Sequence, residues 1–434
     1  MAIVKEVHLV CADVGANNNK YWNCWLHDDG KIETEFGRIG VTSTKEFIKE
    51  TGEAKFDAKV AAKKRGKTGK GGERVSVYTE CRTVAAGATI TRPVASGSLN
   101  DIARKQIAST DPIVLTLVDR LVRENVHNIT SHTNVSYNAA SGTFQTPLGV
   151  VTPDAILEAR QHLAEINKYV LQRAFSDPNL IKQVNLYLRI VPQNVGMRLN
   201  LESLFPDNTA VQKQSDLLDG MEAASVTPVM ATSKVSEEKV FSVKMSLVAG
   251  AEVDRIRRKY RDSRSDMHTC KHLDVKTVYA IEIETMARAF DKGKACGNLL
   301  ELWHGTRSAN VLSILKSGLK TSPPSTASIA GKLFGNGIYF SDQSTKSLNY
   351  AYGYWSGMTD NNCFMFLAHV AMGKAFTPRG HGTRYTSGGR FPEPGYNSTF
   401  AKGGESGVQN NEMIVYENNQ CNLVYLVEFS PGGK

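Results

Sequence analysis

Three short segments in the C-terminal half of the sequence each place one reactive side chain among residues that favour β-strands. His304 follows Leu-Trp, Tyr339 lies in Gly-Ile-Tyr-Phe, and Glu412 precedes Met-Ile-Val. A strand that carries a polar residue in this way presents its side chain at the rim of a cleft. There a carboxylate can stabilise positive charge, an imidazole can form hydrogen bonds, and a phenol can stack on another ring. The three residues are therefore the first candidates for an active site.

Together the three segments resemble the His-Tyr-Glu signature of the poly(ADP-ribose) polymerases, which transfer ADP-ribose from NAD. The resemblance spans essentially all of residues 240–434. It implies a mixed α/β ADP-ribosyltransferase fold with two packed antiparallel sheets. It also implies that NAD is the cosubstrate and that His304, Tyr339 and Glu412 are catalytic.

The resemblance further implies how the nicotinamide end of NAD is held. The Gly305 backbone and the Ser347 hydroxyl would bind the carboxamide, while Tyr339 and Tyr350 would supply the stacking ring. The full set of implied NAD-binding residues is His304, Gly305, Asn310, Lys320, Tyr339, Lys346, Ser347 and Tyr350.

The other implied contacts are made mainly to the adenosine end of NAD. His304 would hydrogen-bond the adenosine ribose, and Asn310 and Lys320 would line the adenosine pocket. Lys346 matches a lysine near the active site. Residues 320–332 would form a loop over the bound dinucleotide.

Each of these residues also has an ordinary structural interpretation. A histidine at a strand end is often a satisfied surface residue, Tyr339 and Tyr350 could be core aromatics, and Glu412 could pair with a lysine. The glycines before Tyr339 precede a strand and not a helix, so the dinucleotide-binding fingerprint is absent.

Local patterns predict the elements that position these residues. Alternating apolar residues and β-branched content predict strands, and apolar residues at helical spacing predict two short helices. The predicted strands are 240–247, 278–283, 298–304, 337–340 and 412–416, and the predicted helices are 308–315 and a segment beginning at Thr345.

Residues 1–95 read as strands joined by turns. Residues 20–26 are rich in strand formers, 27–30 give a turn signal and 31–36 alternate with period two, so a hairpin is predicted. The stretch resembles the WGR domain of DNA-dependent poly(ADP-ribose) polymerases, a module that binds the end of a DNA strand break.

That second resemblance implies DNA contacts from Asn19, Lys20, Phe36 and Arg38, near a 5′-phosphate or at a contact between domains. Phe36 stands where the domain has its namesake tryptophan. Phenylalanine can still stack on a sugar or base, with less area and no N–H donor. A basic run over residues 59–74 could follow a phosphate backbone or could be a solvated loop.

Residues 96–235 are predicted to contain linker and a bundle of helices. Small and Gly/Ser-bearing residues over 84–98 indicate the linker. Helix starts are predicted after Asp111-Pro112, Thr152-Pro153 and Asp177-Pro178, and a fourth helix is predicted over 211–221. The region resembles the regulatory helical domain that blocks NAD entry until DNA binding destabilises it. A plain structural bundle is the alternative.

Composition narrows the class of protein. With 434 residues the chain exceeds one ordinary core, and 41% hydrophobic and 22% charged residues are typical of a soluble globular protein without a membrane span or secretory signal. The net charge of +9 favours polyanionic partners. Seven scattered cysteines without a Cys-x-x-Cys pair favour reduced thiols in an intracellular protein, and we expect no metal.

The predicted fold class is therefore α+β multidomain, with a β-rich WGR-like domain at 1–95, an all-α bundle at 96–235 and a mixed α/β transferase domain at 236–434. The leading hypothesis is DNA-break-stimulated transfer of ADP-ribose to protein acceptors, including the enzyme itself, with nicotinamide release and chain elongation. The alternatives are a mono-ADP-ribosyltransferase acting on protein or DNA ends, and a DNA-end-binding scaffold with an inactive transferase fold.

The expected partners are DNA with strand breaks or 5′-phosphate ends and protein acceptors, and no membrane. The expected compartment follows from the host. It is the nucleus in a eukaryote, and the cytoplasm or nucleoid for a bacterium or its virus.

Overall fold

The structure, a computed structural model, describes most of the chain. It describes residues 2–39, 41–69, 72, 74–80, 99–132, 136–138, 143–146, 149–151, 153–193, 195, 200–224, 240–321, 333–354 and 359–432. The predicted linker at 84–98 therefore lies entirely outside the described residues.

Contacts between residues divide the chain into two compact units. Unit 1 comprises Met1–Ser98 and Val126–Glu237, and unit 2 comprises Leu99–Asn125 and Glu238–Lys434. The start of the predicted helical region thus groups with the C-terminal part of the chain. The division into three domains at 1–95, 96–235 and 236–434 stays a prediction.

The N-terminal part of unit 1 is built on a five-stranded sheet with the strand order β4-β3-β2-β1-β7. Its elements are β1 (Ile3–Asp13), β2 (Asn18–His27), β3 (Lys31–Arg38), β4 (Thr44–Thr51), α1 (Glu53–Arg65), β5 (Lys67–Thr68), β6 (Arg74–Val75) and β7 (Thr79–Glu80). The predicted hairpin is confirmed, because Leu26 of β2 pairs with Ile32 of β3. Gly30 closes its turn at a φ of 81°, which glycine adopts without strain.

One face of this sheet forms a core. Leu9, Trp22 and Ile32 are buried there together with Phe56 of α1. Phe56 is buried while the lysines of α1 are exposed or half-buried, so a single aromatic anchors the helix to the sheet.

The middle of the chain is mainly helical. Its elements are α2 (Leu99–Gln106), β8 (Ile107–Ala108), α3 (Pro112–His132), β9 (Ser136–Asn138), β10 (Thr143–Thr146), β11 (Gly149–Val150), α4 (Pro153–Leu171), α5 (Pro178–Ile190), α6 (Leu201–Leu204) and α7 (Asn208–Ala224). The four predicted helices correspond to α3, α4, α5 and α7. The side chain of Asp177 caps α5 by accepting a hydrogen bond from the Asn179 amide, as its position before a proline indicated.

Two expectations for this region were wrong in detail. An all-α bundle was predicted, but β9, β10 and β11 form a three-stranded sheet, in keeping with the Tyr, Thr and Phe residues of those segments. The helical spacing of apolar residues in the sequence also predicts Ile113 and Leu157 on the buried faces of α3 and α4, but these residues are 50% and 52% exposed.

Unit 2 contains the candidate catalytic segments on short strands and helices. Its further elements are β12 (Val243–Leu247), α8 (Ala251–Asp262), β13 (Leu273–Ile283), α9 (Glu284–Gly293), β14 (Leu299–Gly305), α10 (Ser308–Ser317), β15 (Ile338–Phe340), α11 (Ser344–Tyr352), β16 (Phe364–Ala371), β17 (Ala375–Phe376), β18 (Ser398–Ala401), β19 (Glu412–Val415) and β20 (Cys421–Pro431). Short 3-10 helices occupy Thr269–His272, Lys294–Cys296, Thr383–Tyr385 and Asn418–Gln420.

These strands form two sheets, with the orders β14-β16-β20-β13-β12-β8 and β15-β19-β18-β17. The prediction of antiparallel sheets fails at two pairs, because β8–β12 and β17–β18 are parallel. Two parallel neighbouring strands need a long connection between them, and the strands of both pairs are joined by a long stretch of chain. The two sheets are tied together where the Trp303 and Ser341 backbones exchange hydrogen bonds of 3.0 Å.

The core of unit 2 lies against the six-stranded sheet. Trp303, Tyr260, Leu348 and Phe429 are buried in one cluster, with the Tyr260 ring edge-on to Trp303. The Tyr260 hydroxyl satisfies its polar group by donating to the Leu273 carbonyl at 2.8 Å. This packing fixes β14 against α11, the two elements that carry most of the candidate site.

Within the described ranges, no helix combines the length and the apolar character that a membrane crossing requires.

Candidate active site

The three signature residues come together where the two sheets of unit 2 meet. His304 is near the end of β14, and its Nδ1 lies 2.9 Å from the carbonyl oxygen of Tyr339 on β15. Tyr339 pairs with Ile414 of β19, the strand that begins with Glu412. Three segments far apart in sequence therefore adjoin one another, as the candidate site requires, while the chemical roles of the residues stay predictions.

The hydrogen bond to Tyr339 determines the tautomer of His304. A carbonyl oxygen can only accept, so Nδ1 carries the proton and Nε2 keeps its lone pair. Burial lowers the pKa of His304; its bond to the Tyr339 carbonyl partly opposes this, and the Lys346 ammonium lowers the pKa further. A neutral ring with an acceptor at Nε2 is suited to receive a hydrogen bond from a ribose hydroxyl.

The free energy of unfolding should fall as the pH drops below about 6.5, because the unfolded chain then binds a proton that folded His304 does not. Burial also lowers the pKa of His268, which acts in the same direction. Urea unfolding between roughly pH 8 and pH 5 should show a shallower pH dependence in His304→Gln. His369→Gln, a substitution of an exposed histidine, serves as the control. An identical pH dependence in wild type and His304→Gln would contradict a lowered pKa of His304.

Glu412 is a buried carboxylate with one oxygen paired and one oxygen without a partner. Its Oε1 lies 2.7 Å from Nζ of Lys346, and the two side chains are 10% and 11% exposed. Its Oε2 is buried and has no hydrogen-bond partner among the described residues. An unsatisfied buried oxygen is costly, and a substrate hydroxyl would satisfy it. The ordinary interpretation, a pair with lysine, is also observed, and it accounts for only one of the two oxygens.

Gly305 permits a very close contact between β14 and α11. A Cβ atom at this position would lie 1.7 Å from the backbone oxygen of Ser347. The Ser347 hydroxyl is buried and donates to the Trp303 carbonyl at 3.1 Å. The pair predicted to bind the carboxamide thus lies together, with the Ser347 hydroxyl engaged in holding α11 to β14.

The two candidate stacking tyrosines occupy different settings. The Tyr339 hydroxyl donates to the Gly335 carbonyl at 2.8 Å and accepts from the Phe334 amide at 3.0 Å, which closes the turn before β15. Burial raises the pKa of Tyr339 well above the ordinary value, so the phenol is neutral. Tyr350 on α11 is 40% exposed, with Nζ of Lys346 5.5 Å from its ring centre.

The two residues predicted for the adenosine pocket also differ. Asn310 is buried on α10, and its side-chain oxygen has no hydrogen-bond partner among the described residues. Lys320 is exposed and lies just beyond α10. Most of the loop predicted over NAD, residues 320–332, lies outside the described residues.

Sequence reasoning missed the residues that hold these segments in place. The Tyr416 hydroxyl donates to the Phe334 carbonyl at 2.7 Å and contacts the Thr399 hydroxyl at 2.8 Å. The Ser341 hydroxyl donates to the Asn411 carbonyl, next to Glu412, at 2.8 Å. Tyr416 was predicted within the strand of Glu412, which ends one residue earlier. Contacts at such sequence separations leave no local signal.

The four predicted DNA contacts lie in unit 1, and two of them are buried or partly buried by contacts within it. Asn19 is fully buried and donates to the Gln193 carbonyl at 3.0 Å, so it joins β2 to the helical segment. Phe36 is partly buried against the core of the five-stranded sheet. Neither side chain forms an open DNA-facing surface in this structure.

Lys20 and Arg38 form the cationic part of this candidate surface. They are directly opposed on β2 and β3, a placement that like charges disfavour unless an anion lies between them. Lys20 donates to the Ser76 hydroxyl at 3.2 Å, and Arg38 donates to the backbone and side-chain oxygens of Asn17 at 3.0 Å.

A third cation in unit 1, Lys63, was noted only as part of the basic run. Its Nζ lies 5.2 Å from the ring centres of both Trp22 and Tyr78. Burial lowers its pKa, and Lys67, Lys20 and other cations lower it further. Several positive charges are therefore gathered on this part of the unit.

Comparison with known proteins assigns a family to the C-terminal part of the chain. Residues 250–431 match the poly(ADP-ribose) polymerase catalytic domain. The chain is 26% identical over 316 residues to poly [ADP-ribose] polymerase 1 of Danio rerio, covering 65% of this chain and 30% of that protein. It is 27% identical over 320 residues to the protein of the same name from Gallus gallus, with 65% and 30% coverage.

A viral relative is more similar over a shorter stretch. The chain is 35% identical over 133 residues to the putative poly [ADP-ribose] polymerase-like 100L of Invertebrate iridescent virus 6, covering 30% of this chain and 70% of the viral protein. The matched region spans about 30% of the length of the vertebrate relatives.

Proposed function

This chain belongs to the poly(ADP-ribose) polymerase family, and we propose that it transfers ADP-ribose from NAD to protein acceptors, itself included, with release of nicotinamide. The observation that carries the proposal is the buried Glu412, whose Oε1 is neutralised by Lys346 while its Oε2 lacks a partner among the described residues.

The chemistry follows from the properties of these groups. When the bond between nicotinamide and ribose breaks, positive charge develops on the ribose carbon, and a nearby carboxylate stabilises it. Glu412 would supply that charge and accept a hydrogen bond from the ribose 2′-hydroxyl through Oε2. Lys346 would hold the carboxylate in place through its contact with Oε1. The acceptor nucleophile then bonds to the same carbon and loses its proton.

The neighbouring residues would position the substrate. Nε2 of His304 would accept a hydrogen bond from the adenosine ribose, and Asn310 would use its unpartnered oxygen in the adenosine pocket. Tyr350, partly exposed beside Lys346, would stack on the nicotinamide. The backbone of Gly305 and the hydroxyl of Ser347 would bind the carboxamide.

We propose in addition that DNA strand breaks or 5′-phosphate ends stimulate this reaction. The support is the resemblance of residues 1–95 to a WGR domain and the opposed cations Lys20 and Arg38. The helices of the region 96–235 would act as the regulatory element. The proposed compartment is the nucleus in a eukaryote, and the cytoplasm or nucleoid for a bacterium or its virus.

We also propose that the product is a chain, because Glu412 is the signature residue of members that extend chains. The second candidate is transfer of a single unit to protein or DNA ends. The residue before Glu412 is fixed, because the Asn411 side chain donates to Asp342 and accepts from the Gly403 amide. An inactive DNA-binding scaffold is the remaining alternative.

One assay tests the proposal. The full chain is incubated with NAD labelled on its adenylate, with and without nicked DNA, and the products are resolved by gel electrophoresis. We expect nicotinamide release and labelled protein, increased by DNA, with a ladder for chains and one discrete shift for single units. Wild-type protein that binds DNA and NAD but labels nothing would contradict the transferase proposal and leave the scaffold.

Arg38→Ala should reduce the stimulation by DNA while the basal rate without DNA is unchanged, since it removes a phosphate contact. The salt dependence of DNA binding, as log K against log salt, should become shallower by about 0.9. Arg173→Ala, an exposed arginine of unit 1 paired with Glu202 at 2.9 Å, is the matched control. Equal salt dependence in both variants would exclude a phosphate contact at Arg38.

A further inference from the structure

A loop beside the candidate active site carries three arginines that have no acidic partner in the part of the chain that the structure describes. Residues 377–397 connect β17 to β18, and we call them the arginine loop. Arg379, Arg384 and Arg390 in this loop are all exposed, and none of them forms an ion pair with a residue that the structure describes. Some other exposed cations of unit 2, such as Arg261, do have acidic partners.

The loop does not neutralise itself. Its sequence contains one carboxylate, Glu393, against the three arginines. Glu393 is buried and accepts hydrogen bonds from the amide of Ser387, at 2.8 Å, and from the Ser387 hydroxyl. Both of its oxygens are therefore engaged with Ser387, and Glu393 pairs with none of the three guanidinium groups.

The arginine loop contacts the segment that positions Tyr339. The Gly382 amide donates to the Leu333 carbonyl at 3.0 Å, and the Phe391 ring packs edge-on against Phe334 at 5.8 Å. The Phe334 amide in turn donates to the Tyr339 hydroxyl. At its C-terminal end the loop leads into β18, which pairs with β19, the strand that begins with Glu412. A ligand held by this loop would therefore lie beside the candidate active site.

Two of the three aromatic residues of the loop, Phe391 and Tyr396, are partly buried, and Tyr385 is 38% exposed. The Arg384 guanidinium lies 4.9 Å from the Tyr385 ring centre, and a Cβ at Gly380 would lie 2.5 Å from atoms of that ring. The Tyr396 ring has Nζ of Lys374 at 4.3 Å from its centre. Single-stranded nucleic acids are bound largely by stacking bases on several aromatic rings, and of the three rings in this loop only that of Tyr385 is exposed, which favours a ligand held mainly by charge. Guanidinium groups bind carboxylates in a bidentate manner, as they bind phosphates.

We propose that the arginine loop binds an acidic segment of the protein acceptor and so selects acidic polypeptides for modification. This inference rests on the proposed function, because an acceptor exists only if the chain is a transferase. The loop is exposed, so each contact is weak; three together favour encounter with acidic partners and retain them beside Glu412.

The test compares two synthetic acceptor peptides of the same core sequence, one with an oligoglutamate tail and one with an oligoglutamine tail. For the wild-type full chain, KM for the oligoglutamate peptide should be lower. In the Arg379→Ala, Arg384→Ala, Arg390→Ala triple variant that KM should rise about tenfold, with kcat and the KM for the oligoglutamine peptide unchanged. Replacement of all three by lysine should preserve most of the preference, which shows that charge is responsible.

The matched control removes three exposed cations of unit 2 that do have acidic partners. Lys271, Arg288 and Lys294 pair with Asp266, Glu284 and Asp291, so their replacement by alanine gives the same change in net charge. This control should keep the preference for the oligoglutamate peptide. An equal loss in both triple variants would overturn the proposal and indicate a general effect of net charge.

Two other results would also overturn it. One is an unchanged KM for the oligoglutamate peptide in the alanine variant of the loop. The other is an unchanged peptide preference together with lost anisotropy binding of a labelled oligothymidylate, which would assign the loop to nucleic acid. If the wild type releases no nicotinamide at all, the proposed function fails. The docking claim is then tested separately by anisotropy with labelled oligoglutamate, which requires no turnover.

Discussion

Glu412→Gln is expected to slow nicotinamide release and ADP-ribose transfer by about 100- to 1,000-fold, with little change in NAD affinity. The substitution keeps the size of the side chain and removes the negative charge that would stabilise the ribose cation. Oε2 has no hydrogen-bond partner among the described residues, so the resting protein loses mainly the charge on its contact with Lys346. The effect should therefore appear in kcat and not in binding.

The measurement is nicotinamide release at saturating NAD, together with NAD affinity by calorimetry and a urea unfolding curve. Glu405→Gln is the matched control, because Glu405 is 65% exposed and lies 3.7 Å from Lys402 in a surface pair. It should turn over at the wild-type rate. A Glu412→Gln protein that is folded and equally active would remove Glu412 from the mechanism.

Gly305→Ala should have the largest effect on structure and activity together. The added Cβ would lie 1.7 Å from the Ser347 oxygen and 2.6 Å from its carbonyl carbon, and these are backbone atoms that cannot rotate away. Either β14 or α11 must move, at a cost of about 3 kcal/mol in the free energy of unfolding. Since α11 carries Lys346, the shift would also disturb the pair with Glu412, and we expect a loss of most transfer activity.

Urea unfolding and nicotinamide release measure these two effects. Gly432→Ala is the control, because the nearest atoms to a Cβ there lie at 3.7 Å, an ordinary contact distance. If Gly305→Ala unfolded at the same urea concentration as Gly432→Ala, the close contact between β14 and α11 would not exist in solution.

Local signals were sufficient for the elements that begin or turn at characteristic residues. Asp177 followed by proline predicts the start of α5, and the turn at Gly30 predicts the hairpin of β2 and β3, and both are observed. His304, Tyr339 and Glu412 were also placed correctly on or at the ends of strands, because β-branched and aromatic neighbours have a strong local preference.

Contacts between residues far apart in the sequence could not be predicted from such local signals. A pair of Glu412 with a lysine was considered as one possibility, but no local pattern identifies Lys346 as that lysine. The parallel pairing of β8 with β12 joins segments on either side of the helical region. The strand β16 is almost continuously buried, so it lacks the alternation from which strands are recognised. These features depend on tertiary packing.

The central claim is that the unpartnered oxygen of Glu412 binds the 2′-hydroxyl of the nicotinamide ribose as the bond to nicotinamide breaks. It is tested by nicotinamide release from NAD and from its analogue lacking that hydroxyl, in wild type and in Glu412→Ala. We predict that loss of the hydroxyl slows the wild type by about tenfold or more and slows Glu412→Ala far less, since the two groups act as a pair. An equal slowing of both proteins would mean that Glu412 and the hydroxyl do not interact, and would contradict the account.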